Sequence, residues 1–119
     1  MITNFEELTC ELNAVEIGLL DALTDILNNY TKQQPAKSEK IVSDMKRHIA
    51  NHSLNVSFSG VRLRKMINHL RRAGTLPIIG TSKGYYVSYN HDEVCKQIQS
   101  LVERANSIEH CAKGLLKFT

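Results

Sequence analysis

The stretch SGVRLRKMINHLRRAG, residues 59–74, running into TLPIIGTSKGYYVS, residues 75–88, decides how the rest of the chain is read. Leu63, Met66, Ile67 and Leu70 recur at helical spacing and make one apolar stripe, while Arg62, Lys65, Asn68, His69 and Arg72 lie around the other side. A helix divided in this way has one face for a core and one cationic face for a partner. Ser59 is its natural N-cap. After Gly74 come an apolar run at 76–79, a Gly-Thr-Ser-Lys-Gly turn at 80–84 and a second run at 85–87, which reads as strand, turn and strand. Alternation in the second strand puts Tyr85 and Val87 on one side and Tyr86 and Ser88 on the other, with at least one tyrosine in the core. A basic helix followed by a hairpin is how a winged helix ends.

Working outward, residues 4–30 carry Leu8, Leu12, Val15, Leu19, Leu23, Ile26 and Tyr30 at three- and four-residue steps, an amphipathic helical pattern. Asn4 and Asn13 are good N-caps, and Glu16 follows Asn13 by the three positions of a capping box. A short helix before Asn13 and a longer one after it, ending near Gln33, are expected. Pro35 disfavours helical geometry at Gln34 and marks a turn. Ser38 is the expected cap of a second core helix with Ile41, Val42, Met45 and Ile49 on one face and Lys40, Lys46 and Arg47 beside it, stopping near His52. Asn51, Ser53 and Asn55 signal a turn, and Val56, Ser57 and Phe58 a very short extended piece.

From about His91 to Phe118 the pattern is helical again, with Asp92 and Glu93 in the first turn and Lys113 and Lys117 in the last, charges that complement the helix dipole. Val94, Ile98, Leu101, Ala105, Ile108, Ala112 and Leu115 form a heptad seam. Its partner is either the N-terminal helix of the same chain or a second copy, giving a homodimer through the C-terminal and N-terminal helices. Gly114 weakens the far end. The fold expected is therefore mainly α with a small β-hairpin. It is a winged helix-turn-helix flanked by long N- and C-terminal helices, divided as 1–33 (N-terminal helical segment), 34–90 (remainder of the winged-helix domain) and 91–119 (C-terminal amphipathic helix).

At 119 residues and 42% hydrophobic content the chain is one domain with a real core. No apolar stretch is long enough to span a bilayer, and the opening MITNFEELTC lacks the pattern of a signal peptide, so a cytoplasmic protein is expected. Cys10, Cys95 and Cys111 are odd in number and lack C-x-x-C spacing, which favours reduced thiols. The net charge is only +3, yet between Asp44 and Asp92 no acidic residue occurs while Lys46, Arg47, Arg62, Arg64, Lys65, Arg71, Arg72 and Lys83 do. Positive charge is thus concentrated around the basic helix, the footprint of a surface that meets phosphates.

Double-stranded DNA is the partner this suggests. The N-terminal half of a recognition helix reaches base edges, which nominates Val61, Arg62, Lys65, Asn68 and His69. Arginine chelates guanine, asparagine chelates adenine, and valine meets the thymine methyl. Arg64, Arg71 and Arg72 suit phosphate. The hydroxyls of Ser57 and Ser59 and the free N–H groups beside them are further phosphate donors, and Ser82 and Lys83 sit at the hairpin tip. His48 and His52, His91 and Cys95, and His110 and Cys111 are pairs without a third ligand, so no metal is expected. A glycine-rich phosphate loop, a nucleophile elbow and paired carboxylates in an apolar setting are all lacking, so neither catalysis nor a cofactor is expected.

The opening ITNFEELTCELN, the R-L-R-K-M-I-N-H-L-R run from Arg62 to Arg71, the hairpin L-P-I-I-G-T-S-K-G-Y-Y-V-S from Leu76 to Ser88 and the tail spacing of Glu93, Ile98, Leu101, Arg104 and Ala105 together resemble a family of small winged-helix proteins of bacteroidete phages and prophages. The resemblance covers nearly the full length and implies a winged-helix fold and DNA binding, as in a transcription regulator or replication accessory factor. The rival expectation is a winged helix used as a protein interaction module, its basic face serving an acidic partner.

Overall fold

A computed structural model of the chain describes residues 11–119. Among these residues the order is α1 (Ala14–Leu27), α2 (Ser38–Asn51), α3 (Gly60–Arg72), β1 (Ile78–Thr81), β2 (Gly84–Val87) and α4 (His91–Leu115), followed by a 3-10 turn at Leu116–Phe118. The protein is mainly helical with one small antiparallel hairpin. It divides into two compact units, Met1–Ser88 and Tyr89–Thr119, so α1 belongs with the hairpin and α4 stands in a unit of its own. The short helix expected before Asn13 lies largely outside the described residues.

Helix α1 starts where its capping box dictates. Asn13 Oδ1 accepts from the Glu16 N–H at 2.9 Å, and Glu16 Oε1 accepts from the Asn13 N–H at 3.0 Å. The buried stripe is Glu16, Leu19, Leu23 and Leu27, whereas Val15, one of the apolar periodic positions, is exposed. The helix ends at Leu27 and not near Gln33. Asn28 and Asn29 are poor helix formers, and the Asn29 and Tyr30 N–H groups tighten onto the carbonyls of Ile26 and Leu27, both at 3.1 Å. This turn delivers the Tyr30 hydroxyl to Asp44 on α2, where Lys40 Nζ at 2.5 Å and Arg47 Nη2 at 3.2 Å meet the other carboxylate oxygen.

Burial by itself pushes the Asp44 carboxyl up, but hydrogen bonds from Lys40 and Tyr30 and the charges of Lys40 and Arg47 outweigh it, so Asp44 titrates below its ordinary 3.8. Burial first, then the bond to Asp44 and its negative charge, raise the Tyr30 phenol above its ordinary 10.0. Tyr30→Phe is expected to lower stability by about 1.5 kcal/mol, a hydrogen bond to a charged acceptor being lost. A urea midpoint equal to that of the wild type would show the contact to be idle.

Ala36 forms an isolated bridge to Tyr85, its N–H donating to Tyr85 O at 2.9 Å and its carbonyl accepting from the Tyr85 N–H at 2.7 Å. The chain leaves this bridge extended through Lys37, which becomes the N-cap of α2. Ser38, expected to be the cap, is instead the first helical residue. Helices α2 and α3 bury the faces that their periodicity assigns: Ile41, Met45 and Ile49 on one, Leu63, Met66, Ile67 and Leu70 on the other. With Leu19, Leu23, Leu27, Phe58, Leu76 and Ile78 they form one hydrophobic core. Residues 56–58 belong to no helix or strand, and Phe58 is buried in the core.

In the hairpin Ile78 pairs with Val87, Ile79 with Tyr86, Gly80 with Tyr85 and Thr81 with Gly84. Ile78, Tyr85 and Val87 turn to the core, and the Ile79–Tyr86 pair on the opposite face is also buried. Thr81 Oγ1 ties the two-residue tip, accepting from the Lys83 N–H at 3.2 Å and donating to Gly84 O at 3.1 Å.

In the second unit, Asn90 Oδ1 caps α4 by accepting from the Glu93 N–H at 3.0 Å, and Asp92 and Glu93 occupy the first turn as expected. No residue of α4 is buried.

Candidate nucleic-acid interface

The orientation of α3 follows from its buried side chains. With 100° per residue, the core face centred on Leu63, Met66, Ile67 and Leu70 places Val61, Asn68 and Arg72 diametrically opposite, Arg62 and His69 on one flank, and Arg64 and Arg71 on the other. Val61, Arg64 and Arg72 are exposed, and Asn68 and His69 are half-buried. Ser59 Oγ accepts from the Arg62 N–H at 3.3 Å, closing the helix start.

Arg62 and Lys65, expected to reach base edges, are instead drawn back onto Glu16. Arg62 Nε lies 3.1 Å from Glu16 Oε2 and Lys65 Nζ 2.9 Å from Oε1, with the carboxylate side chain only 4% exposed. Arg62 Nη1 also donates to Ser57 O at 2.5 Å. The physical reason is that a carboxylate this buried must be paired, and α1 places it beside the flank and outer edge of α3 where the two cations emerge. Burial alone would raise the Glu16 carboxyl. Hydrogen bonds from Lys65 and the Asn13 N–H, the charge of Lys65 and a hydrogen bond from Arg62 outweigh it and hold the group below its ordinary 4.5.

Arg71, expected to clamp phosphate, lies against the hairpin, its Nε donating to Ile78 O at 3.1 Å. It ties α3 to β1. Arg64 lies back over Gly60, where an added Cβ would come within 3.5 Å of Nη1. Ser57 and Ser59 are exposed at the helix start, and Ser82 and Lys83 are exposed at the hairpin tip. Of the expected residues, therefore, Val61, Asn68 and Arg72 make one line along α3 with Arg64 exposed on its flank, Arg62 and Lys65 belong to a buried ion cluster, Arg71 is a hairpin brace, and His69 sits on the Arg62 flank.

Sequence reasoning missed Glu16 as a member of this site and read it only as a capping residue. One signal was available: it is the single acid in register with Leu19, Leu23 and Leu27. Arg47, expected to extend the cationic surface, is paired with Asp44. His48 and His52 stack with ring centroids 4.1 Å apart, and the His52 Nδ1 lies 2.9 Å from His48 O. No group of three or more His, Cys, Asp or Glu side chains is arranged for a metal among the described residues, and no helix there is long and apolar enough to cross a membrane.

Comparison with known proteins finds no matching family model, no matching curated protein and no matching solved structure, so the resemblance to phage winged-helix proteins rests on the quoted motifs alone.

Proposed function

We propose that the chain is a winged helix-turn-helix protein that binds double-stranded DNA through the outer line of α3 and the hairpin tip. In this reading it is a phage or prophage transcription regulator or replication accessory factor, acting in the cytoplasm as a homodimer and without catalysis or cofactor. The observation that carries the reading is the line Val61, Asn68 and Arg72, with Arg64 exposed beside it, on a helix inside an interval, residues 45–91, that holds no acidic residue. Val61 suits a thymine methyl and Asn68 the adenine edge. Arg64, Arg72 and Lys83 suit phosphate, and the Ser57 and Ser59 hydroxyls at the helix start suit the same backbone. With Arg62 and Lys65 engaged by Glu16, base reading passes to Val61 and Asn68. Pairing of two copies through α4 supplies the symmetry that half-sites on duplex DNA require.

A salt titration of duplex binding tests this. Three phosphate-contacting cations per chain predict a slope of log affinity against log salt of about −3 per chain. Arg72→Ala is expected to weaken all duplexes alike and to flatten the slope by about 1. Asn68→Ala is expected to relax preference at one base pair, by about 1–3 kcal/mol. Absence of binding to any duplex at low salt sinks the reading and leaves the basic face to an acidic protein.

A further inference from the structure

Helix α4 runs for 25 residues, about 37 Å at 1.5 Å per residue, without one buried side chain. Among the described residues Ile98 is 55% exposed, Ile108 63% and Leu115 64%, while Val94 and Leu101 are half-buried, so the heptad seam is an apolar stripe exposed over most of its length. The seam has a peculiarity that bears on what covers it. At one of its two positions per heptad it carries Ile98, Ala105 and Ala112; at the other it carries Val94, Leu101, Ile108 and Leu115. Small and large residues therefore alternate along most of the stripe.

We infer that α4 pairs antiparallel with the α4 of a second copy of this chain, Leu101 of each copy packing on Ala105 of the other. The proposal rests on the homodimer of the preceding reading and supplies its geometry. In an antiparallel pair the two kinds of seam position face each other. Leu101 then meets Ala105, Val94 meets Ala112 and Ile98 meets Ile108, each contact occurring twice, and every alanine is opposed by a larger side chain. A parallel, in-register pair puts like against like, so Ala105 would face Ala105 and Ala112 would face Ala112, leaving two thin layers in the interface. Outside the seam, Val102 follows Leu101, and in the antiparallel pair the two Val102 side chains come to the same edge and extend the apolar contact.

Charge favours the opposite arrangement. A parallel pair would set Arg104 against Glu109 of the other copy, whereas the antiparallel pair brings the two Arg104 side chains near each other at the centre. Magnitude decides between them. Exposed ion pairs alter an equilibrium by only about fivefold or less, while filling or emptying an apolar layer alters it by about tenfold or more. Glu109 is in any case already engaged by Lys113 of its own helix at 3.1 Å. Packing therefore sets the direction.

Sedimentation equilibrium of the intact chain is expected to show a dimer, and Leu101→Asp to weaken it by about a hundredfold or more, since a carboxylate would enter a dry layer. A chain that stays monomeric at about 0.1 mM overturns the pairing itself. Direction is read separately, in a background with Cys10, Cys95 and Cys111 changed to serine. Val94→Cys and Ala112→Cys variants, one carrying an affinity tag, are mixed, allowed to exchange and oxidised. A disulfide between the two variants is expected. Disulfides formed only between copies of the same variant, or none in a dimeric sample, overturn the antiparallel register. Neither readout involves DNA, so loss of the DNA-binding reading leaves this test intact.

Discussion

Gly84→Ala is expected to destabilise the protein by about 4 kcal/mol, a large part of the stability of a domain of this size. Two independent causes add. The residue has φ +130°, a conformation that L side chains rarely adopt. A Cβ there would also stand 2.5 Å from the carbonyl carbon and oxygen of Ala36 and 2.8 Å from the Lys37 nitrogen. Those atoms are backbone, and Ala36 is held to Tyr85 by bonds in both directions, so the neighbour cannot give way without breaking the bridge between the hairpin and the segment that leads into α2. Gly74→Ala is the control. It shares a positive φ, +67°, but has nothing within 4 Å of its added Cβ, and about 1 kcal/mol is expected there. Urea unfolding followed by circular dichroism separates the two. Equal midpoints for Gly84→Ala and Gly74→Ala would mean that the close approach to Ala36 does not constrain the fold.

Glu16→Gln is the second large effect, expected to cost about 2–3 kcal/mol at neutral pH. Removing one partner of a buried ion pair leaves the remaining charge uncompensated. The Arg62 and Lys65 side chains keep 24% and 19% exposure, which holds the cost below that of a fully dry pair. Glutamine keeps an acceptor for the Asn13 N–H, so the substitution isolates the charge; alanine should cost about 1 kcal/mol more by removing half of the capping box. The pH dependence has a definite sign. Because the folded-state pKa of Glu16 is lowered from 4.5, its contribution is fully present above that value and is lost as pH falls through the lower folded-state value. The gap between wild type and Glu16→Gln should therefore be widest at neutral pH and close below about pH 4.5. Asp44 titrates with the same sign in both proteins and cancels from the comparison. Urea midpoints at pH 7 and pH 3 measure the gap, and an unchanged gap would remove the ion cluster from the account of stability.

The faces of α2 and α3, the Asn13 capping box, the Ser59 cap, the hairpin and the extent of α4 were legible in the residues. In each case the signal is local: apolar spacing reports which side of a helix leaves water, and a cap acts within three residues of itself. Helix α1 was legible in existence but not in detail. Its apolar periodicity fits two stripes one residue apart, one containing Val15 and one containing Glu16, and hydropathy favours the wrong one. A carboxylate enters the core face only because Arg62 and Lys65 arrive to neutralise it, and they do so from 46 and 49 residues away in the chain. The length of α1 was misjudged for a related reason, since Tyr30 leaves the helical path to meet Asp44 on the next helix.

The candidate interface divides along the same line. The sequence by itself determined that a basic helix with one apolar face precedes a tight hairpin, and that no acid lies between Asp44 and Asp92, because composition and period need no partner to be read. Only the tertiary structure decided which of those cations remain on the outside. Arg62 and Lys65 are paired with Glu16 and Arg71 donates to the carbonyl of Ile78, while Val61, Asn68 and Arg72 lie on the side away from the core and Arg64 is exposed on the flank. A positive charge looks the same in a sequence whether it faces water or a carboxylate; its pairing is a matter of which helix packs beside it.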